Sequence, residues 1–452
     1  MSNQVNFIAS PAQRLTGDIC VPGDKSISHR SIMLGSLADG TTRVRGFLDG
    51  KDCLATLNAF RTMGVKIEGP DNGRVVIHGV GTDGLKDPAR ALDMGNSGTG
   101  MRLMAGLMAG QSFDSVMVGD DSLMSRPMRR VAKPLVSMGA NIATTETGTA
   151  PIAITGSTPL RGIDYKLPIA SAQIKSCILL AGLYAKGKTR VIEPAPVRDH
   201  TEKMLRSFGY EVNNPQPGVF SLTGGKRLSA TEINVPADIS SAAFFMVGAS
   251  IAENSDITLR HVGVNPTRTG IINVLRLMGA DISIENERTA GNEPVADVRV
   301  RSAPLKGVHI PEKLVSLAID EFPAIFIAAS CAEGETVLAG ARELRVKESD
   351  RIQAMVNGLK VLGVNARPAQ DGAVIQGGEG FSSGMIESCG DHRIAMSFVM
   401  ASLRASGDIT INDCANVDTS FPDFTGLANR SGLSIDVDGK PGHQPVMGDH
   451  PC

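Results

Sequence analysis

Tryptophan is absent from this 452-residue chain, tyrosine occurs three times and aromatics make up 4% of the residues. So few rings leave little for a base-stacking platform. Charge of one sign is also missing: 45 basic against 47 acidic side chains give a net charge of −2, which excludes general attraction to nucleic acid or a membrane surface. No apolar run is long enough to span a bilayer. The longest, near Ala242–Ala252 and Ala324–Ala332, suit buried helices. Met1 to Ser10 lacks a basic stretch followed by an apolar run, so no signal peptide is expected. The seven cysteines are scattered, odd in number and without a Cys-x-x-Cys pair, which predicts a reducing cytoplasm and neither a disulfide framework nor a zinc ribbon.

What is present is repetition. An apolar residue, a glycine and a short β-like run recur six times: at Met63-Gly64-Val65, Met138-Gly139-Ala140, Phe208-Gly209-Tyr210, Met278-Gly279-Ala280, Leu362-Gly363-Val364 and Ser431-Gly432-Leu433. The glycines stand 75, 70, 70, 84 and 69 residues apart. Each closes a helical pattern and opens a strand, where a glycine cap belongs. With 50 glycines in the chain one or two matches would be chance, but six at near-constant spacing point to one unit copied six times.

A second marker alternates with the first. Turns at Val21–Ser26, Met94–Thr99, Leu167–Ala172, Val235–Ser240, Ala318–Pro323 and Cys389–Arg393 each lead into an apolar, small-residue helix. Ser, Asp and Thr in these turns are natural N-caps. Helices apolar on most faces belong inside, with strands wrapped around them. Six units divide as three plus three. The predicted domains are 23–236, and 1–22 joined to 237–440, with two short crossing strands as a hinge. Residues 441–452, which include His443 and His450, are expected to form a loose tail.

Helix N-termini expose unpaired N–H groups and the positive end of the dipole, so several of them around one cleft would bind phosphate or carboxylate. Lys25, Arg30, Arg102, Arg126, Arg129, Arg130, Arg198, Lys347, Arg351 and Arg393 lie in or near these turns. Taken singly, each would be a solvated surface charge; their recurrence favours function. Gly23–Arg30 looks like a P-loop but lacks its glycines, with Ile19 where one is required, so an ATPase is rejected. Glycines in Gly95–Gly100 permit close backbone approach to an anion. Val346–Ile352 could alternatively be a charged i,i+4 helix face. No His/Cys cluster suggests a metal, and no cofactor is expected.

Together, Gly23-Asp24-Lys25-Ser26 with His29-Arg30, Gly95–Thr99, Ser125–Met128, Ser171–Ser176, Asn265–Arg268, Val346–Arg351, Asp391–Met396 and Ser420-Phe421-Pro422 closely resemble the 5-enolpyruvylshikimate-3-phosphate synthase family, in the family's order and over nearly the whole chain. The resemblance implies an α/β (α+β) fold: a two-domain inside-out α/β barrel of six βαβαββ-like repeats, three per domain. It also implies transfer of the enolpyruvyl group of phosphoenolpyruvate to the 5-hydroxyl of shikimate 3-phosphate, in the cytoplasm, by a monomer whose partners are these small molecules. By the same resemblance Lys25, Gly98, Arg126, Gln173, Arg351 and Arg393 meet phosphoenolpyruvate. Lys25, Ser26, Arg30, Ser171, Ala172, Gln173, Arg198, Asp320 and Lys347 meet shikimate 3-phosphate.

Both substrates are polyanions, so cations must cancel their repulsion before the reacting atoms meet. Arginine's fork suits either anion. Asp320 is assigned as the base that takes the hydroxyl proton, with Glu321 beside it as a competitor. Glu348 and Lys25 are candidates for moving the methylene proton. Lys25, set among cations, is expected to titrate low. His392 is expected to orient rather than donate. Many family members carry Lys where this chain has Thr419, as in the branch that includes glyphosate-tolerant enzymes, but tolerant members carry Ala where it has Gly98, so glyphosate sensitivity of the Gly type is expected. Binding of anions by both halves is expected to draw the cleft shut.

Two rivals remain. A UDP-N-acetylglucosamine enolpyruvyl transferase has Lys-Asn at the first turn and a loop cysteine, whereas here no cysteine lies between Cys53 and Cys177. A non-catalytic phosphate-binding repeat protein would have no need of Lys25, Asp320, Glu348 and Arg351 together.

Overall fold

A computed structural model describes residues 5–438; the tail expected at 441–452 lies outside them. The chain forms two compact units of mixed α/β structure. One comprises residues 5–22, 236–289 and 294–438, the other Gly23–Val235 together with Ala290–Glu293. The last four residues add an excursion to the two crossings expected. They are the tip of a hairpin between strands Asp281–Ala290 and Glu293–Arg301.

Six sheets of three to five strands are found among the described residues, three in each unit. Five of them combine antiparallel with parallel pairing, and the strands Gly334–Leu338, Gly372–Gly377 and Asn365–Ala369 form a sheet with antiparallel pairs alone. In the Gly23–Val235 unit, strand Arg74–Val80 runs antiparallel to Ala38–Arg45, with Thr42 opposite Ile77. Strand Glu232–Asn234 returns from the end of the unit to lie parallel to Ala38–Arg45. In the other unit, Thr16–Ile19 lies parallel to Asp256–Gly263 in the same manner.

The helices are of two kinds. Lys25–Leu37, Gly98–Met108, Ala172–Gly182, Ile239–Ile251, Phe322–Cys331 and His392–Ala401 are almost wholly buried, and all thirteen residues of Ile239–Ile251 are. At roughly 1.5–3 kcal/mol for each large apolar side chain removed from water, these interior helices are the main stabilising element of each unit. Their small residues allow close approach. A Cβ on Gly106 would stand 2.2 Å from the carbonyl oxygen of Cys177 on the neighbouring helix, so only glycine fits there.

The second kind is amphipathic and ends at the repeated glycines. Gly64, Gly139, Gly209, Gly279, Gly363 and Gly432 all have φ between +75° and +116°, the left-handed conformation expected of a cap. The strands outside alternate, as in Ile152–Thr155, where buried and exposed residues follow one another.

Among the described residues no helix is long and apolar enough to cross a membrane. Among the described residues Cys53, Cys177, Cys331, Cys389 and Cys414 are free thiols.

Candidate active site

Many of the expected site residues stand at the N-terminal ends of the buried helices. In the Gly23–Val235 unit, Asp24 caps the first helix by accepting from Ile27 N at 2.8 Å. Lys25 and Ser26 therefore stand on its first turn, with Arg30 one turn on. Lys25 Nζ donates to Asp52 Oδ2 at 2.9 Å. The expectation of a lysine among cations thus meets an acid, on a helix whose sequence gave no hint of the contact.

Arg30 is buried. Its Nε donates to Thr201 Oγ1 at 2.7 Å, Nη1 to the Ser26 carbonyl at 2.8 Å and Nη2 to Ser176 Oγ at 2.8 Å. Burial lowers its pKa to about 10, Glu202 and Asp24 oppose this, and Arg198 pushes it down further. Arg198 therefore lies within electrostatic reach of Arg30, and the arginine remains charged at neutral pH. Between them on the first helix, His29 is held down at about 3 by burial, with Lys25 and Arg30 adding to the effect. Its neutral ring lies 2.8 Å from Thr56 Oγ1 and 3.3 Å from Ser97 Oγ, tying the first helix to the cap of the next.

Ser97 caps the second buried helix through Gly100 N, which leaves Gly98 as its first residue. A Cβ at Gly98 would lie 2.9 Å from Arg102 Nη1 and 3.2 Å from Arg126 Nη1. Two guanidinium groups thus flank a bare backbone at a helix N-terminus, the arrangement that favours an anion. Arg126 Nη2 donates to Asn96 Oδ1 at 2.6 Å and to Ser122 Oγ at 3.0 Å. Asn96 is itself held by Asp120 at 2.7 Å. Ser171 caps the third helix, placing Ala172 and Gln173 on its first turn. Gln173 accepts from Arg102 Nη1 at 2.9 Å and donates to Thr99 Oγ1 at 3.0 Å. Arg102, one of the basic residues near the turns, also donates from Nη2 to the Pro127 carbonyl at 3.3 Å.

Lys175, within the Ser171–Ser176 motif, is structural. It is fully buried between Glu193 at 2.9 Å and Glu202 at 2.7 Å, and its ammonium stands 4.4 Å from the centre of the Phe220 ring.

The second cluster belongs to the other unit and centres on Arg351, which is 1% exposed. Its Nε donates to Asp391 Oδ2 at 2.8 Å, Nη1 to Asp320 Oδ1 at 3.3 Å and Nη2 to Glu348 Oε2 at 2.5 Å. Burial alone would lower its pKa; Asp391, Glu348 and Asp320 outweigh that and raise it above the usual arginine value. Lys347 Nζ lies 3.1 Å from Asp320 Oδ1, and Arg393 Nη1 donates to the Asp320 carbonyl at 3.1 Å. The charged-helix-face reading of Val346–Ile352 is corrected. Lys347, Glu348 and Ser349 precede the helix Arg351–Val361, which Asp350 caps.

Asp391 was legible as the cap of His392–Ala401, but not as the principal partner of Arg351. Glu321 is wholly buried, hydrogen-bonded to Ser240 Oγ and 3.8 Å from Arg268, whereas the Asp320 side chain keeps 12% exposure. Of the two acids only Asp320 has a side chain that reaches solvent. His392 is buried on the first turn of its helix, and the hydroxyl of Thr419 donates to the Asn416 carbonyl at 2.6 Å.

Among the described residues Asp199, His200 and Glu293 have donor atoms within 4.8 Å of one another, as a metal site would require. His200 Nδ1 lies 2.8 Å from Glu293, and Lys203 Nζ lies 3.5 Å from it, so the carboxylate already has cationic and ring partners.

Known proteins resemble the chain over nearly its whole length. A 3-phosphoshikimate 1-carboxyvinyltransferase of Methylococcus capsulatus is 65% identical over 433 residues, covering 96% of this chain and 99% of the relative. One from Alkalilimnicola ehrlichii is 62% identical, covering 95% and 96%. The solved structure of EPSP synthase from Acinetobacter baumannii superposes with a TM-score of 0.86 at 61% identity, covering 96% of this chain and all of that one. The family model for EPSP synthase (3-phosphoshikimate 1-carboxyvinyltransferase) matches residues 9–427. A match of that extent, on a chain whose buried helices begin with paired cations and carboxylates, means that the protein belongs to the EPSP synthase family.

Proposed function

We propose that the protein transfers the enolpyruvyl group of phosphoenolpyruvate to the 5-hydroxyl of shikimate 3-phosphate and releases phosphate, in aromatic biosynthesis. The observation that carries this reading is the Arg351 cluster, where one buried guanidinium holds three carboxylates, one of them Asp320. Anion binding alone has no use for acids in such number. Addition followed by elimination does, because protons move on both steps.

Asp320 Oδ1, 3.1 Å from Lys347 Nζ and 3.3 Å from Arg351 Nη1, accepts the proton of the 5-hydroxyl as that oxygen bonds to C2 of phosphoenolpyruvate. The methylene carbon takes a proton in the same step. Phosphate then leaves, and the carbon returns a proton as the double bond re-forms. Glu348 and Lys25 carry that exchange. Arg351 has no spare fork for a substrate, so the phosphoenolpyruvate carboxylate displaces Glu348 from Nη2 and frees the acid for proton transfer. Arg126, Arg393 and the bare Gly98 backbone hold the same substrate. Ser26, Arg30, Ser171, Ala172, Gln173, Arg198 and Lys347 hold shikimate 3-phosphate.

The fold in this reading is the inside-out α/β barrel of six βαβαββ-like repeats, three per domain. Six sheets and six pairs of buried and glycine-ended helices support it. A cytoplasmic monomer that needs no cofactor completes the proposal.

The test is phosphate release with each substrate alone and with both. Release only with both is expected, reduced about a hundredfold or more in Lys25→Ala. Release that ignores shikimate 3-phosphate would end the reading.

A further inference from the structure

The motif Asn265-Pro266-Thr267-Arg268 has no part in the cation clusters of the candidate site, yet Arg268 is a buried guanidinium, 3% exposed. Asn265 folds the segment into a turn. Its Oδ1 accepts from Thr267 N at 3.0 Å and Thr267 Oγ1 at 2.9 Å, and its carbonyl accepts from Arg268 N at 2.7 Å. From that turn Arg268 reaches the start of helix Ile239–Ile251. Its Nη2 donates to Asp238 Oδ1 at 3.2 Å and to Ser240 Oγ at 2.6 Å. Asp238 is fixed in its own right, because the same oxygen caps the helix through Ser240 N at 2.8 Å. The Ser240 hydroxyl, having accepted from Arg268, donates to Glu321 Oε1. The chain Arg268–Ser240–Glu321 therefore ends on the residue that follows Asp320.

The same segment meets the Asp320 turn a second time. Gly270 opens the helix Gly270–Leu277, and a Cβ on it would stand 2.5 Å from the carbonyl carbon of Leu317 and 2.7 Å from Ala318 N. The Ala318 carbonyl accepts from Glu321 N at 2.9 Å and closes the turn that carries Asp320. Two sets of groups thus hold this acid. Lys347, Arg351 and Arg393, all assigned to the substrates, engage Asp320 itself. The interior set grips its neighbours and reaches no ligand: Arg268, Ser240 and Glu321 are each 3% exposed or less.

A buried ion pair adds little net stability over an apolar core of equal volume, so stability does not account for this one. Placement does. A reacting group must be held to within about 0.5 Å, and an error of about 1 Å can cost about a hundredfold in rate. We propose, on the assignment of Asp320 as the base, that Arg268 and Ser240 are positioning residues for it. By fixing Glu321 they set the turn 318–321, and with it the reach of the Asp320 carboxylate toward the substrate hydroxyl, without touching substrate themselves.

The experiment measures kcat, both KM values and Tm for Ser240→Ala and Arg268→Lys, each alone and in an Asp320→Asn background. Arg268→Lys keeps the positive charge but loses the planar fork. Ser240→Ala removes a single oxygen, so it keeps the test decisive if Arg268→Lys does not fold. Alone, each should lower kcat about fivefold to tenfold with the phosphoenolpyruvate KM nearly unchanged. In Asp320→Asn, where no base remains to be placed, the same substitutions should leave the residual kcat within about twofold while their cost in Tm persists. Equal fold losses in the two backgrounds, an unchanged kcat in the single variants, or a loss confined to KM would each overturn the proposal. A wild-type kcat in Asp320→Asn would strike the base assignment itself, and the proposal with it.

Discussion

Gly98 is where one missing methyl group decides most. A Cβ there meets the far ends of two flexible arginines rather than backbone, so alanine is tolerated by the fold and displaces Arg102 and Arg126 by a few tenths of an ångström. The expected outcome for Gly98→Ala is a KM for phosphoenolpyruvate raised about tenfold, or about 1.4 kcal/mol, with glyphosate inhibition weakened at least as much. Inhibition curves on the two proteins check this; unchanged tolerance removes the steric account. Asp320 and Glu321 are adjacent in sequence and different in role. Asp320→Asn should lower kcat by about a hundredfold or more with little loss of thermal stability. Glu321→Gln strips a charge from buried Arg268, so it should lower Tm. Steady-state kinetics and thermal melts on both variants separate the two acids, and the reverse pattern would move the base to Glu321.

At the scale of elements, caps connect secondary structure to chemistry. Asp120 caps the short helix Asp121–Ser125 through Leu123 N at 2.8 Å, and its other oxygen holds Asn96, which holds Arg126. Asp120→Ala therefore removes a cap worth about 1 kcal/mol and loosens an arginine it never touches. A several-fold rise in the phosphoenolpyruvate KM at nearly constant kcat is expected. A matching fall in kcat would show that Asp120 acts on the chemistry instead. The cap residues Asp24, Ser97, Ser171 and Asp391 were legible because a small polar residue before an apolar run has one physical use at that place. Their second contacts, such as that of Asp391 with Arg351, were not legible, because they join segments 40 residues apart.

For the molecule as a whole, acid stability carries the signature of His29. The unfolded chain takes a proton on this ring near pH 6.5, the folded chain only near 3. Between those values the unfolded state binds more protons, so stability is full above 6.5 and falls as pH drops through the window. The contribution to the slope approaches about 1.4 kcal/mol per pH unit. Unfolding measured from pH 6 to pH 4 should be less steeply pH-dependent in His29→Gln than in the wild type, by close to one proton. Equal slopes would mean that the ring is protonated in the native state.

Local rules set much of this protein. The sixfold recurrence, the left-handed glycines, the apolar helices and the capping residues follow from backbone sterics and burial over a few neighbouring positions, and all can be read along the chain. The cationic turns were visible for the same reason. Tertiary structure alone decided that Lys25 meets Asp52, that Arg102 holds Gln173 and the Pro127 carbonyl, that Arg351 is surrounded by three acids and that Asp320 rather than Glu321 keeps access to solvent. Those are contacts between segments distant in sequence, and their energies depend on burial and on which charges share a space, quantities that do not exist until the chain has folded.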